Sequence, residues 1–310
     1  MASDGGAALP RLTRARAPLV QEIVAIDESG QRLSVSIPAE RALTVYVDKR
    51  ELVTLMTLGA EPELLVLGFL RNQRLVQSAA EVESITVDWE VGAAAVKTRQ
   101  GISDIEGRTA RRVVTTGCGQ GSVFGDMMAE VEQLRLPVAC LSQQQLYGIV
   151  NAIRLQESTY KSAGSVHGCA LFQGEQMLVF VEDVGRHNAI DTIAGWMWMQ
   201  PSRASQDGLP EGQGLTGANK VFYTTGRLTS EMVIKSAQMG VPIVVSRSGI
   251  TQMGQQVAQR LGLCTIGRAL NRRFLCFSGS ERLVLQPQTG EQAQGNPPHN
   301  GSDLVNGVAR

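Results

Sequence analysis

The sequence predicts an α/β protein. From Lys220 to Gly267, short apolar strands alternate with helices, and this spacing is typical of parallel strands with helices on the faces of the sheet. Gly240 and Gly262 stand where the two helices of this region end, as glycine often does. Earlier in the chain, several strands surround a single helix, which indicates an α+β arrangement. These observations predict two domains of different architecture.

The length fits this organisation. The 310 residues are 43% hydrophobic, which is enough for a sizeable core, and such a length suggests about two domains. The first residues are small and basic and the last lack apolar periodicity, so both ends are expected to be disordered. The expected organisation is a tail at 1–20, an α+β domain at 21–140, an α/β domain at 141–286 and a tail at 287–310.

Composition excludes several classes of protein. Lys+Arg and Asp+Glu both number 29, and this zero net charge argues against bulk affinity for nucleic acids or membranes. No apolar run approaches the ~20 residues of a membrane span, and the N-terminus lacks the apolar core of a secretory signal. Five cysteines without regular spacing argue against a disulfide framework. We therefore expect a cytoplasmic protein with neither a nucleic-acid nor a membrane partner.

In the first domain, the sequence predicts strands around one buried helix. The helix opens at Glu61-Pro62, with proline in its first turn, and is apolar almost all round. The strands are indicated by apolar or alternating runs, which cover Ala42–Val47, Glu51–Met56, Val82–Trp89, Ala93–Thr98 and Arg111–Thr116.

A glycine-rich loop follows at 115–126, where TTGCGQGSVFGD surrounds Cys118 with four glycines. Such a loop has little packing of its own, so we expect it to be mobile. One interpretation makes Cys118 a small apolar filler, as free cysteines usually are. The other makes it a reactive thiol, because a cysteine meant for burial is seldom placed among glycines. No basic residue lies beside it in the sequence to favour the thiolate, yet the loop context favours the reactive thiol.

The second domain opens with a helix at 141–157. Ser142 and Gln145 form a capping box, and Leu141 with Leu146 forms a hydrophobic staple. Two strands then follow, joined by a turn at Gln173-Gly174. Cys169 lies inside the first strand and is expected in the core. His167, just before that strand, is either a loop histidine or a site residue.

The junction between the second of these strands and the next helix is the most polar stretch of the chain. It reads EDVGRHN, with Asp191 one turn into the helix. One interpretation is a well-capped helix with a surface ion pair. The other is a binding site, because connections in α/β sheets lie where ligands bind and helix N-termini attract anions. The density of polar side chains favours the site, with Asp183, Arg186, His187 and Asp191 as its candidates.

Two later strand-to-helix turns resemble each other. TTGRLTS at 224–230 and SRSGIT at 246–251 are both small and rich in hydroxyl groups, and each contains glycine and arginine. Turns on one sheet edge beside GRHN would form an anion-binding crevice, to which Gly226 and Arg227 would contribute. Arg268, Arg272 and Arg273 follow the last long strand, either as a solvated rim or as a phosphate clamp.

Taken together, these motifs resemble the FdhD family of formate dehydrogenase accessory sulfurtransferases. The resemblance is carried by EDVGRHNAID, by YTTGR…SEMVIKSAQMGVPIVVSRSG…LG, by ALTVYVD, by LGFL and by the glycine-flanked Cys118. It runs from about residue 35 to residue 285. EDVGRHNAID is the most specific of these motifs.

The resemblance implies a dimeric, cytoplasmic sulfur carrier that takes sulfur from a cysteine desulfurase as a persulfide on Cys118. The sulfur would pass to the molybdenum or tungsten of a bis(molybdopterin guanine dinucleotide) cofactor before that cofactor enters formate dehydrogenase. It also implies a C-terminal three-layer α/β/α domain of cytidine deaminase-like form. A guanine nucleotide such as GDP would mimic part of the cofactor. By position, the family's cofactor-contacting segment corresponds to Arg268, Ala269, Leu270, Asn271, Arg272 and Arg273, of which only the ends match.

One departure from the family pattern matters for the chemistry. The family usually has Cys-x-x-Cys in this loop, whereas here Gly121 takes the second position. A single thiolate can still carry sulfane sulfur, but it cannot release that sulfur by closing a disulfide with its neighbour. A cofactor chaperone that moves no sulfur is therefore the main alternative. A zinc deaminase is excluded, because His167-Gly168-Cys169 lacks the required glutamate and the chain has no Cys-x-x-Cys. No zinc is expected.

Overall fold

The computed structural model describes residues 9–103, 133–201 and 214–286. The described helices are α1 to α6, which span Pro62–Asn72, Gln143–Leu155, Thr159–Ala163, Arg186–Met199, Ser230–Gln238 and Gln252–Leu261. The first seven strands, β1 to β7, span Arg11–Leu12, Val20–Ile26, Arg32–Pro38, Arg41–Val47, Arg50–Thr57, Val82–Asp88 and Ala93–Thr98. The remaining strands, β8 to β15, span Leu141–Ser142, His167–Gln173, Gln176–Asp183, Lys220–Thr224, Ile243–Ser246, Cys264–Leu270, Arg273–Ser278 and Leu283–Val284.

The N-terminal part contains a five-stranded sheet in the order β1-β6-β7-β4-β5. Its core lies between this sheet and α1, most of whose leucine and valine side chains are buried, as an all-round apolar helix predicts. The strands β2 and β3 form a separate antiparallel hairpin. Residues 11–12 pair with β6, so the prediction of a disordered tail up to residue 20 is wrong there. The physical reason is buried Glu63, whose carboxylate accepts hydrogen bonds from Thr13 Oγ1 and the Ala15 N–H, both 2.7 Å away.

The C-terminal part is built on a six-stranded sheet in the order β10-β9-β11-β12-β13-β14. The strands β11, β12 and β13 are parallel, as the alternation of strands and helices predicts. The strand β9 is antiparallel to both of its neighbours, and β14 is antiparallel to β13. The sheet is therefore mixed, with a parallel centre that is flanked by antiparallel strands.

Helices cover both faces of this sheet. The helix α2 packs on one face through Leu146 and Ile149, against Phe172 and Tyr223. The helices α4, α5 and α6 pack on the other face, where Ile193, Met232 and Val257 belong to one buried cluster. The predicted capping box starts α2, since Ser142 Oγ accepts from the Gln145 N–H at 3.1 Å and Gln145 Oε1 accepts from the Ser142 N–H at 3.0 Å.

The two parts meet where α1 crosses α4. Gly68 and Gly195 face each other there, and a Cβ on either would collide with the backbone of the opposite helix. Arg71 adds a hydrogen bond of 2.8 Å to the Ala194 carbonyl oxygen, and its guanidinium lies 4.9 Å from the centre of the Trp198 ring. The helices are thus in direct backbone contact, which fixes α4 against the N-terminal part.

The main elements predicted from the sequence are present in this mixed α/β structure. Two differences are the hairpin β2–β3, which the sequence analysis did not predict, and β13, which continues to Leu270 instead of ending at Gly267. The expected strand Arg111–Thr116 and the tail at 287–310 lie outside the described residues. Within the described parts of the chain, no helix is long and apolar enough to cross a membrane.

Candidate functional site

The candidate site lies along one edge of the six-stranded sheet. The strands β10, β11 and β12 end at this edge and β9 starts there, because Asp183 pairs with His167, and Thr224 pairs with both Cys169 and Ser246. The turns TTGR, SRSG and GRHN, which the sequence predicts to lie together, therefore leave the sheet side by side. This is the edge where open α/β sheets bind ligands.

His167, Arg186 and Gly226 lie close together at this edge. A Cβ on Gly226 would lie 2.8 Å from Arg186 Cδ and 3.5 Å from His167 Nδ1, so glycine lets the arginine side chain run close over the turn. Burial lowers the pKa of His167, and the positive charges of Arg186 and Arg227 lower it further. The edge thus presents an imidazole whose uncharged form is favoured beside two guanidinium groups, an arrangement that suits an anion.

Hydroxyl groups brace the two turns from below. Thr224 Oγ1 accepts from the Gly226 N–H at 3.1 Å, and Ser246 Oγ donates to the Gly226 carbonyl oxygen at 2.7 Å. Ser246 Oγ also accepts from the Ser248 N–H at 2.9 Å. Thr224 and Ser246 are fully buried, so their hydrogen bonds stabilise the conformation of the turns. Neither residue was a candidate site residue in the sequence.

The segment from Arg268 to Arg273 forms the turn of the β13–β14 hairpin. It starts at the site, because the Arg268 N–H donates to the Ser248 carbonyl oxygen at 2.7 Å. Its tip reaches α2, where the Arg272 guanidinium lies 5.9 Å from the centre of the Tyr147 ring and the Arg272 carbonyl oxygen accepts from the Tyr147 hydroxyl at 3.2 Å. Ala269 is buried, whereas Leu270 is half exposed. The three arginines therefore lie along the hairpin, with Arg268 at the sheet edge.

A cavity of about 210 Å³ lies beside this hairpin, on the α2 face of the sheet. Ala269, Leu270 and Asn271 line it from the hairpin, and Phe180 and Tyr223 line it from the sheet. The predicted segment thus borders both the turns at the edge and a cavity with Phe180 and Tyr223 in its wall.

Asp183 is engaged entirely by groups of the protein. Its Oδ2 accepts from the Thr57 hydroxyl and from the Leu58 N–H at 3.1 Å, and its Oδ1 accepts from the Gly185 N–H at 3.0 Å and from Asn188 Nδ2 at 2.8 Å. Burial raises the pKa of Asp183, and these hydrogen bonds oppose the rise. Asp183 therefore joins the start of α4 to the end of β5.

Asp191 is the centre of a second buried polar group. Its Oδ1 accepts from Asn72 Nδ2 of α1 at 2.6 Å, and its Oδ2 lies 2.8 Å from Lys235 Nζ of α5. Lys235 Nζ lies 3.6 Å from Glu231, whose other carboxylate oxygen lies 3.3 Å from His187 Nε2. Burial by itself would lower the pKa of Lys235, but the two carboxylates outweigh it and raise that pKa. Burial raises the pKa of Glu231.

The His187–Glu231 pair lies at the wall of a cavity of about 280 Å³ between α4, α5 and the N-terminal part. Leu55, Met56 and Phe69 give this cavity an apolar side. The polar residues of the EDVGRHNAID stretch are thus divided between two places. Arg186 lies at the sheet edge with His167, Gly226 and Arg227, whereas His187 and Asp191 belong to the buried group behind it.

Four residues of these groups were not predicted from the sequence, namely Thr57, Asn72, Glu231 and Lys235. Only the last two left a signal in the sequence, since an acid and a base four residues apart lie on one helix face. Cys118 and Gly121 lie outside the described residues. Of the cysteines that the structure describes, Cys169 is fully buried, and burial raises the pKa of its thiol to about 12. Within the described ranges, no group of three or more His, Cys, Asp or Glu side chains could hold a metal ion.

The model of the FdhD/NarQ family matches residues 38–284. The chain is 27% identical over 268 residues to the sulfur carrier protein FdhD of Halalkalibacterium halodurans, an alignment that covers 85% of this chain and 94% of the relative. It is 28% identical over 251 residues to the protein of the same name from Bacillus subtilis, an alignment that covers 79% of this chain and 88% of the relative.

A solved structure is similar over most of the chain. It comes from Desulfotalea psychrophila and is described as a formate dehydrogenase accessory protein. The TM-score is 0.65 at 26% sequence identity, and the match covers 86% of this chain and all of the other.

Proposed function

This chain belongs to the FdhD/NarQ family, and from that membership we propose that it is a sulfur carrier in the maturation of a formate dehydrogenase. The observation that carries the proposal is the meeting of Arg186, Arg227 and the Arg268 hairpin at one sheet edge, in a chain whose relatives are named sulfur carrier proteins.

The sulfur step that we propose uses Cys118. A cysteine desulfurase that holds a persulfide transfers its outer sulfur to the Cys118 thiol, so that the donor regains a thiol and Cys118 becomes the persulfide. Cys118 is the residue that the family likeness assigns, and its glycine loop supports access to a partner. Cys169 is less suited to this step, because burial raises the pKa of its thiol to about 12 and a protonated thiol is a poor nucleophile.

The cargo that we propose is the bis(molybdopterin guanine dinucleotide) cofactor with its molybdenum or tungsten. Its pyrophosphates call for guanidinium groups and backbone N–H donors, which Arg186, Arg227 and the turns at 224–230 and 246–251 supply. The hairpin at 268–273 would contact a guanine dinucleotide arm, and the neutral His167 would add a hydrogen bond. Asp183, His187 and Asp191, placed behind the edge, would act through the position of Arg186.

Four further features belong to this proposal. The sheet covered by α2 on one face and by α4, α5 and α6 on the other supports the cytidine deaminase-like form that the resemblance implies. Assembly as a homodimer and action in the cytoplasm follow from the same likeness. The formate dehydrogenase apoprotein is the expected recipient of the sulfurated cofactor.

Sulfur transfer is tested by incubating the protein with a cysteine desulfurase and cysteine, followed by mass spectrometry. We expect a mass increase of one sulfur on the peptide that contains Cys118, and none in Cys118→Ser. A Cys140→Ser variant is the matched control, because it removes a thiol that the structure shows to be exposed but should still be modified on Cys118. Persulfide on the Cys118→Ser protein would contradict the assignment.

The alternative function is a chaperone that binds the cofactor and moves no sulfur, and the loss of the second cysteine at Gly121 favours it. Complementation of a strain that lacks its own accessory factor separates the two functions. Sulfur transfer predicts that Cys118→Ser fails to restore formate dehydrogenase activity while the wild type succeeds. Equal rescue by both proteins would establish the chaperone.

Binding at the edge is tested by calorimetry with GDP as the probe. Arg227→Ala, and separately Arg272→Ala with Arg273→Ala, should each weaken binding roughly tenfold, as expected for loss of a guanidinium–phosphate contact. Arg50→Ala, at the start of β5, removes the same charge from the N-terminal sheet and should leave the affinity unchanged. Unchanged affinity in either test variant would remove that segment from the site.

A further inference from the structure

The start of α4 is connected to α1 through a continuous chain of buried polar contacts. Asn72 of α1 donates to Asp191, Asp191 is paired with Lys235 at 2.8 Å, and Lys235 lies 3.6 Å from Glu231. Glu231 in turn faces His187, with 3.3 Å between Oε2 and Nε2. Every residue in this series of contacts except Glu231 is more than nine-tenths buried, so water does little to screen the contacts.

The first turn of α4 lies between this series of buried contacts and the sheet edge. Arg186 and His187 are neighbours in sequence but serve opposite sides, since His187 faces Glu231 and Arg186 runs over Gly226 towards His167. The charge of Arg186 acts on both sides, because it lowers the pKa of His167 at the edge and that of Glu231 behind it. A displacement of this turn would therefore change the pKa of His167.

Asp191 has no free oxygen with which to hold a ligand. Both of its carboxylate oxygens are engaged, and the residue is 2% exposed. The backbone contact of Gly68 with the carbonyl group of Asp191 also brings α1 directly against this residue. Asp191 therefore contacts both α1 and α5, and it connects α4 to these two helices.

We propose that Asp191 and Asn72 are positioning residues that hold the first turn of α4 so that the Arg186 guanidinium stays beside His167. The N-terminal part thereby helps to set the geometry of the sheet edge. The importance of this geometry for cofactor binding rests on the proposed function, but the positioning itself does not.

The inference is tested by following the pKa of His167 with NMR in the intact protein. Arg186→Met retains much of the side-chain length and should raise that pKa, which gives the full influence of the guanidinium. Asp191→Asn and Asn72→Ala should each raise it by roughly half of that shift or more, because Arg186 moves away. The direct effect of losing a negative charge at Asp191 has the opposite sign, since it would lower the pKa of a nearby histidine.

Two controls complete the experiment. Glu63→Gln removes another buried carboxylate of α1, one that contacts Thr13 and Ala15, and should leave the pKa of His167 unchanged. Adding Asp191→Asn to Arg186→Met should produce no further rise, because the two changes act through the same guanidinium. Folding of each variant is checked by its unfolding curve, and Asn72→Ala serves if Asp191→Asn does not fold.

The inference is overturned if Asp191→Asn and Asn72→Ala lower stability but leave the pKa of His167 where it was. A further rise in the double variant would also overturn it. Neither result requires sulfur, cofactor or a partner protein, so failure of the positioning role is distinguishable from failure of the sulfur-carrier function.

Discussion

At the scale of the residue, burial divides the cysteines that the structure describes into different chemical classes. Cys140 is exposed, whereas Cys169 lies in the core, with its sulfur 3.3 Å from the Thr224 hydroxyl. Burial raises the pKa of Cys169 to about 12, so its thiol stays protonated at neutral pH. Proximity to the candidate edge alone does not make a cysteine reactive.

Alkylation of the native protein at pH 8 tests this difference. We expect iodoacetamide to modify Cys140 at least roughly tenfold faster than Cys169, because Cys140 is exposed, whereas Cys169 is buried and its pKa is raised to about 12. Peptide mass spectrometry measures the two rates. In denaturant the difference should disappear, and equal rates in the folded protein would contradict the burial of Cys169.

At the scale of the element, the contact of α1 with α4 decides how the two parts of the chain are joined. Gly68 and Gly195 lie on the middle turns of these helices, and their missing side chains let the backbones touch. Helix propensity and packing make opposite demands here. Alanine is the better helix former by about 1 kcal/mol, yet it does not fit between the helices.

Gly68→Ala therefore tests which effect dominates. We expect the free energy of unfolding to fall by about 3 kcal/mol, because an added methyl group forces the helices apart. Urea unfolding measures the change. Gly249→Ala is the matched control, since no atom lies within 4 Å of a Cβ at that position and its backbone is not left-handed, so its effect should be small. A stabilised Gly68→Ala protein would contradict the close contact.

At the scale of the whole molecule, buried polar pairs connect residues that are far apart in sequence. Asp183 contacts Thr57 across 126 positions, and Asp191 contacts Asn72 across 119. Lys235 compensates the charge of Asp191 where both are 3% exposed. Such a pair adds little net stability, but removing one partner leaves an uncompensated buried charge.

Lys235→Met should accordingly lower the free energy of unfolding by about 3 kcal/mol at pH 7. Burial already raises the pKa of Asp191 above its ordinary value in the folded protein, and loss of Lys235 raises it further. A carboxyl group with a raised folded pKa favours folding at low pH and loses that contribution as the pH rises through the folded value.

The loss in the free energy of unfolding caused by Lys235→Met should therefore become smaller when the pH is lowered from 7 to 5, as measured by urea unfolding. Asp191→Asn combined with Lys235→Met removes both charges and should recover part of the stability at pH 7. A double variant no more stable than the single one would show that the buried charge is not the cause.

Local patterns determined much of this protein. Alternating apolar runs predicted β4 to β7 and the parallel centre of the second sheet, and the capping box predicted the start of α2. These features depend on neighbours within a few positions, so the sequence displays them directly. The meeting of the three turns at one edge also followed, because parallel strands place their carboxyl ends together.

Tertiary structure alone decided what the polar residues of EDVGRHNAID do. The sequence assigned Asp183, Arg186, His187 and Asp191 to one site, whereas the fold directs Arg186 to the sheet edge and engages the others with Thr57, Asn72 and Glu231. The physical reason is that a carboxylate binds whatever donor the packing brings within reach. When that donor lies more than a hundred positions away, local periodicity carries no information about it.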